Sequence, residues 1–438
     1  MTNENKASVA TPMESIKADN LLINFTTEFL RVCDVRGSSS KPASFWRPTS
    51  TADLLPGFFP LGDVVITGHD NINEKRVVAV VCEADLPSAD PEKGKALARP
   101  DDFEQIWAIT SPAGTSQCTI WQPIPPEGYA ALGLVCTSDS VKPSFNSVRC
   151  VRTDLVVASD VGAGIWDSRN SGPHQDFSAW TITPPTARAG EIHFAPGTFV
   201  GANSFIKPAT HPCAYSLRMK IALRINPAPV GPILSGYEVP PEHESLEATQ
   251  IAYIPWFAVK DDGLSAAEKL STSPYYRLER SDAYALVGYG HNTGKKGEFF
   301  KWRTPRLQNS KILEIFTRIT SVQVGPAWSA RPAEPVDSIQ FSARLNKNFS
   351  HTETSTREWL TPTTVEVVAV IPANRIMAVY QLQSHFDLVR YDGTQAGINF
   401  GYADNSSFHL TEYSSESNGE TEVRPPVLDL PTPTDIDP

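Results

Sequence analysis

Between Ser338 and Asn346 the chain alternates without a break. Ile339, Phe341, Ala343 and Leu345 fall on one face, and Ser338, Gln340, Ser342, Arg344 and Asn346 on the other, the period of an amphipathic β-strand. Ile376, Ala378, Tyr380, Leu382, Phe386 and Leu388 repeat the pattern, interrupted by Ser384. Upstream the apolar segments are shorter and β-branched, as in 77–82 and 148–156, with the first strand expected near Leu21. Leu264 to Leu270 reads as a short helix, and Tyr275 to Arg280 opens a second β-rich region with longer strands. The polar stretch 1–20 and the acidic, Pro-rich stretch 412–438 have too little apolar content to order themselves. The pattern predicts an all-β protein.

A longer motif recurs three times over this pattern. Trp121-Gln122-Pro123 is followed by Gly128-Tyr129-Ala130-Ala131-Leu132-Gly133. Upstream, Trp46-Arg47-Pro48 is followed by Pro56-Gly57 and Leu61-Gly62; downstream, Trp180 is followed by Pro196-Gly197 and Val200-Gly201. Ile106-Trp107 precedes Trp121 by 14 residues, and Ile165-Trp166 precedes Trp180 by the same 14. The copies lie 75 and 59 residues apart, room for about four strands of roughly 5 to 6 residues in each. The expectation is a three-unit pseudo-repeat closing around an axis in the manner of a β-prism, with a β-sandwich as the alternative. Trp46, Trp121 and Trp180 should then fill equivalent inward-facing positions of one shared core. The domains read as 1–20 unordered, 21–215 the repeat module, 216–240 a Pro-rich linker, 241–411 an elongated antiparallel domain and 412–438 a tail.

Composition narrows the function classes. Forty per cent hydrophobic and 20% charged residues suit a soluble globular chain. A net charge of −11 argues against nucleic acid, whose backbone requires clustered Lys and Arg. The polar start Met1 to Lys6 lacks the apolar core of a secretory signal, so the chain reads as made in the cytosol, with leaderless release if it acts on other membranes. The six cysteines show no C-x-x-C pair and no metal-ligand spacing; they read as reduced and buried, and neither metal nor cofactor is expected.

The ordered elements Phe45-Trp46-Arg47-Pro48, Leu61-Gly62-Asp63-Val64, Trp121-Gln122-Pro123, Gly128-Tyr129 with Leu132-Gly133, Val148 to Val156 and Ile165-Trp166-Asp167 resemble the vacuolar protein sorting-associated protein 62 family over about residues 30 to 215. The resemblance implies a β-rich, non-enzymatic module linked to membrane trafficking and brings no ligand pocket with it. The amphipathic strands of 275–395, with Val365 to Arg375 as a strand and proline turn, are similar in pattern to aerolysin-type pore-forming proteins. By analogy with prism-type sugar-binding proteins, whose ligand loops carry a carboxylate, Asp63 and Asp167 are the ligand-loop candidates.

No catalytic constellation is present: G-x-S-x-G, H-E-x-x-H and Walker signatures are all missing, and Gly288 to Gly294 lacks dinucleotide spacing. The chemistry-bearing stretch is instead Lys295, Lys296, Phe299, Phe300, Lys301, Trp302 and Arg303, basic heads beside aromatics in an acidic protein. That combination suits a membrane interface; the bland reading is a hairpin with its aromatics turned to the core and its lysines solvated. Segments 312–324 and 338–350 are long enough for a transmembrane hairpin, although any half-buried sheet strand alternates in the same way. The layout suggests a non-enzymatic, membrane-targeting, pore-forming toxin of insecticidal or defence type. Its head would bind membrane lipid or a cell-surface glycan, and it would oligomerise on membranes. The alternative is a soluble trafficking or scaffold protein using the module for protein contacts.

Overall fold

A computed structural model describes residues 14–35, 41–50, 55–84, 93–110, 117–169, 175–227, 229–240, 248–264, 266–305, 339–344, 364–397 and 399–414. After an added strand β1 (Ile16–Ala18), the chain builds the same six-strand unit three times. Unit one is β2 (Leu21–Thr26), β3 (Phe29–Val35), β4 (Ala43–Pro48), β5 (Phe59–Pro60), β6 (Val64–Thr67) and β7 (Val78–Glu83). Unit two is β8 (Leu97–Ala98), β9 (Asp102–Thr110), β10 (Gln117–Ile124), β11 (Tyr129–Ala130), β12 (Val135–Thr137) and β13 (Cys150–Arg152). Unit three is β14 (Val156–Ala158), β15 (Asp160–Asp167), β16 (Ser178–Thr183), β17 (Glu191–Phe194), β18 (Val200–Ala202) and β19 (Tyr215–Lys220). Each unit splits into two sheets on the same plan. One sheet is ordered β3-β4-β6, β9-β10-β12 or β15-β16-β18, and the other β2-β7-β5, β8-β13-β11 or β14-β19-β17. Six strands fit where four were expected because several span only two or three residues, too few to leave a periodic signal.

The register bears out the repeat residue by residue. Trp46 pairs with Val64, Trp121 with Val135 and Trp180 with Val200. The first strand of each such sheet skips one residue opposite the tryptophan: Val32, Ile106 and Ile165 are the bulged positions. At the centre, Gly62, Gly133 and Thr198 converge; a Cβ on Gly133 would lie 2.6 Å from that of Thr198, and one on Gly62 3.0 Å from the Cα of Gly133. Backbone bonds link the units around this point, Asp63 N–H donating to Leu134 O (2.8 Å) and Leu134 N–H to Phe199 O (3.1 Å). The turn glycines Gly57 and Gly128, at φ +79° and +82°, have their counterpart in Gly190 at +80° before β17. Gly197 lies further along, so the third copy was misaligned in the sequence pattern.

The shared core differs from the expected one. Phe45, Ile120 and Ala179 point into it, and since side chains alternate along a strand, the following Trp46, Trp121 and Trp180 face away. Trp46 and Trp121 centre separate small clusters, and Trp180 is half-buried at the edge of the shared core. Trp107 and Trp166, 6.0 Å apart between ring centroids, fill the shared core with Phe177, and Cys33 occupies their position in unit one. Cys33 is joined to Cys118 across units one and two, which corrects the reading of six reduced thiols. The partners are 85 residues apart and meet only through unit packing, so spacing gave no sign of the pair. Cys82, Cys136, Cys150 and Cys213 are free.

The second region follows without a separating linker. β20 (Ala222–Ile225), β21 (Ala248–Pro255), β22 (Tyr275–Asn292), β26 (Arg375–Val389) and β27 (Phe400–Tyr413) form one antiparallel sheet in that order, with a short helix at Ala266–Thr272. The Pro-rich stretch lies along this sheet: Leu234 packs on Ile376, Ala378 and Tyr380, and Pro232 O accepts from His409 Nε2 (2.9 Å). Its prolines lack the N–H a ladder needs, hence a covering strap in place of a strand. β23 (Glu298–Pro305) and β25 (Thr364–Ile371) make a two-stranded ribbon, and β24 (Phe341–Arg344) joins unit three beside β17. The two regions share one core. Trp256 and Phe257 sit against Phe25 and Phe194, with Phe25 to Trp256 at 5.1 Å and Phe194 to Phe257 at 4.6 Å. No helix among the described residues is long and apolar enough to cross a membrane, a statement that concerns helices alone.

Candidate functional site: the outer face of the ribbon

Asn292 fixes the turn that starts the ribbon. Fully buried, it donates to Lys296 O and Ile371 O, both at 2.8 Å, and its Oδ1 accepts the Gly294 N–H at 2.8 Å. From there β23 pairs with β25, Phe299 opposite Val370, Lys301 opposite Val368 and Arg303 opposite Glu366. Alternation turns Phe300 and Trp302 inward onto β22. Only glycine leaves room for them: a Cβ on Gly288 would lie 2.0 Å from Trp302, and one on Gly290 2.6 Å from Phe300. Trp302 Nε1 donates to Tyr289 O (3.3 Å), and the rings of Phe300 and Trp302 stack with centroids 6.0 Å apart.

The other set faces solvent. Phe299 is 75% exposed, Val368 51% and Val370 49%. Lys295 and Lys296 are exposed at the turn. Lys301 and Arg303 stand beside the apolar residues and hold Glu366 at 2.6 and 3.3 Å. The hydrogen bond from Lys301, joined by Arg303, keeps the Glu366 carboxyl below its ordinary value. The turn and outer face thus carry four cations against the carboxylate of Glu366 around an apolar stripe, while Glu298 shares the register of Phe300 and Trp302. Of the seven interface candidates, Lys295, Lys296, Phe299, Lys301 and Arg303 lie on the turn or outer face, and Phe300 and Trp302 anchor it from beneath. Val368 and Val370 belong to the same face, which the sequence does not reveal, because Val367 to Ile371 is a continuous apolar run in which one face cannot be told from the other.

The remaining candidates are dispersed. Ile339, Phe341 and Ala343 are buried in the core between unit three and the second region, and Gln340 O accepts the Ala195 N–H at 2.9 Å. In this structure their alternation is that of a docked edge strand; Leu345, segment 312–324 and most of 338–350 lie outside the described residues. Asp63 is 0% exposed, ion-paired to Arg47 at 2.9 Å and accepting the Cys136 N–H at 2.6 Å. It therefore staples unit one to unit two and has no oxygen open to a ligand, which corrects its ligand-loop assignment. Burial opposes the charge on Arg47, but the Asp63 carboxylate more than offsets it and raises the guanidinium pKa. Asp167 is accessible and takes the Arg169 N–H at 3.1 Å. Among the described residues no group of three His, Cys, Asp or Glu side chains could hold a metal ion.

Residues 10–223 match the family model for vacuolar protein sorting-associated protein 62, a span that takes in β1 and the three units. A search of curated proteins finds no match. Among solved structures, the chain is similar to GNIP1Aa from Chromobacterium piscinae at 20% identity and a TM-score of 0.35, over 43% of this chain and 34% of that one. The match thus spans about a third of GNIP1Aa. It is also similar to Cry35Ab1 at 10% identity and a TM-score of 0.36, over 91% of each chain.

Proposed function

We propose that this protein is a non-enzymatic membrane-associating protein of the pore-forming kind. The three-unit head recognises a cell-surface glycan or lipid head group, and the outer face of the β23–β25 ribbon meets the bilayer. The observation that carries the reading is the apolar stripe of Phe299, Val368 and Val370 left in solvent beside Lys295, Lys296, Lys301 and Arg303. Rings at head-group depth next to cations suit an anionic bilayer surface. Burial of a phenylalanine side chain contributes about 1.5–3 kcal/mol, and each cation near an anionic surface about 1 kcal/mol.

Flotation with neutral and anionic vesicles, together with dye release, tests this. The wild type should float with anionic vesicles, release their dye and lose binding in high salt. Phe299→Ser, at an exposed site the fold does not use, should weaken binding by about 10- to 100-fold. A wild type that floats with neither vesicle, or a Phe299→Ser variant that binds equally well, would overturn the reading. Co-purifying protein partners without flotation would favour the scaffold alternative.

A further inference from the structure

Among the described residues β1 has no counterpart in units two and three. It adds to β2 at the edge of unit one and lies against β19 of unit three. At that seam is a cleft of about 340 Å³, lined by Lys17, Ala18 and Asp19, by Lys93, by Asp154 and Leu155, and by Glu191 with Arg218, Met219 and Lys220. We propose that this cleft binds an acidic saccharide: a pyranose ring carrying one carboxylate and several hydroxyls. The inference deepens the recognition half of the proposed function and is independent of the ribbon.

Two observations carry it. First, the carboxylates are pinned before any ligand arrives. Lys93 and Arg152 each reach Asp19 at 3.1 Å, Arg152 reaches Asp154 at 2.6 Å, and Glu191 is held by Arg218 and, at 3.2 Å, by His193. The hydrogen bond from Lys93 leads the effects that lower the Asp19 pKa. Burial would raise that of Glu191, but Arg218 and His193 bring it below the ordinary value. Both therefore stay ionised at neutral pH, oriented acceptors for sugar hydroxyls.

Second, Lys17 and Lys220 are exposed, and among the described residues neither has a carboxylate within ion-pair distance. Among the described residues they are cations outside any ion pair, beside carboxylates already held by Lys93, Arg152 and Arg218. Ala18, Leu155 and Met219 border the cleft but belong to the buried core, so recognition rests on the polar groups. Fixed acceptors for hydroxyls and a cation pair for a carboxylate match a sugar acid. A multiply charged phosphate would meet the same three carboxylates with few hydroxyls to offer them.

The test is calorimetric titration of the full-length protein, without membranes, by the methyl glycosides of glucuronic, galacturonic and N-acetylneuraminic acids. Methyl glucoside and inorganic phosphate serve as controls. At least one acidic glycoside should bind, with methyl glucoside and phosphate each at least about tenfold weaker. Lys17→Ala/Lys220→Ala, two exposed changes, should lose about tenfold or more for that glycoside, and Phe299→Ser should bind it like wild type. Failure of all three acids, equal affinity for methyl glucoside or phosphate, or unchanged binding by the lysine variant would overturn the proposal. None of these outcomes bears on vesicle binding through the ribbon.

Discussion

Gly133→Ala tests the axis on which the head is built. The added Cβ would stand 2.6 Å from Thr198 Cβ and 2.7 Å from its Oγ1, whereas carbon atoms in contact prefer about 3.5–4.0 Å. Relief requires a movement of roughly 1 Å at a point where all three units meet, in a core that is close-packed and yields little. Overpacking of this kind costs about 1–3 kcal/mol. In a module of this size 1 kcal/mol lowers Tm by about 2–4 °C, so scanning calorimetry should show a fall of about 2–12 °C. Thr198→Gly alone should also destabilise, because it removes the hydrogen bond from Thr198 Oγ1 to Leu132 O. The double variant, however, should be more stable than the sum of the two changes predicts, by about 1 kcal/mol or more, since the clash needs both side chains. A Gly133→Ala protein within about 0.5 kcal/mol of wild type, or strictly additive effects, would refute the convergence at the axis.

Other consequences follow from single buried groups. Trp256→Ala should cost about 3–5 kcal/mol in urea unfolding; Trp256→Phe should cost far less, because among the described residues the indole Nε1 has no hydrogen-bond partner and its loss removes an unpaired donor. Asp63→Asn should destabilise by about 1.5–3 kcal/mol, as it removes the charge that holds the half-buried Arg47, and a change under about 0.5 kcal/mol would show that the staple between units is dispensable. Burial holds His211 down at about 4, with its Nδ1 accepting the Cys213 N–H at 3.0 Å. The unfolded chain takes up that proton first, so this contribution is complete above about pH 6.5 and is lost as pH falls from about 6.5 towards 4. Unfolding at pH 7 and 4.5 should show a smaller acid loss in His211→Asn than in wild type.

The long strands were legible because their burial is regular. Tyr275 and Thr364 begin strands within a residue of where the pattern placed them, and 376–388 lies inside β26, with Ser384 buried on the apolar face and donating to Asp282. The triple repeat was legible from the tryptophans, whose register is equivalent in all three units. Which face they present was not, because Trp46 and Phe45 are both apolar and a two-residue period cannot say which of two apolar neighbours looks inward. Asp63 looked like a loop carboxylate because its partners, Arg47 and the Cys136 N–H, lie 16 and 73 residues away. The outer face of the ribbon was half legible: Phe299 and its flanking cations stand out in an acidic chain, whereas Val368 and Val370 join them only through the pairing of β23 with β25.

The most direct measurement of the account places an environment-sensitive fluorophore at Phe299→Cys and records its emission with vesicles containing bilayer-depth quenchers. Unlabelled wild type controls for the native thiols, three of which are buried. The account predicts a blue shift and strong quenching at head-group depth with anionic vesicles, both reversed by salt. An unchanged spectrum in the presence of vesicles that carry bound protein would contradict it.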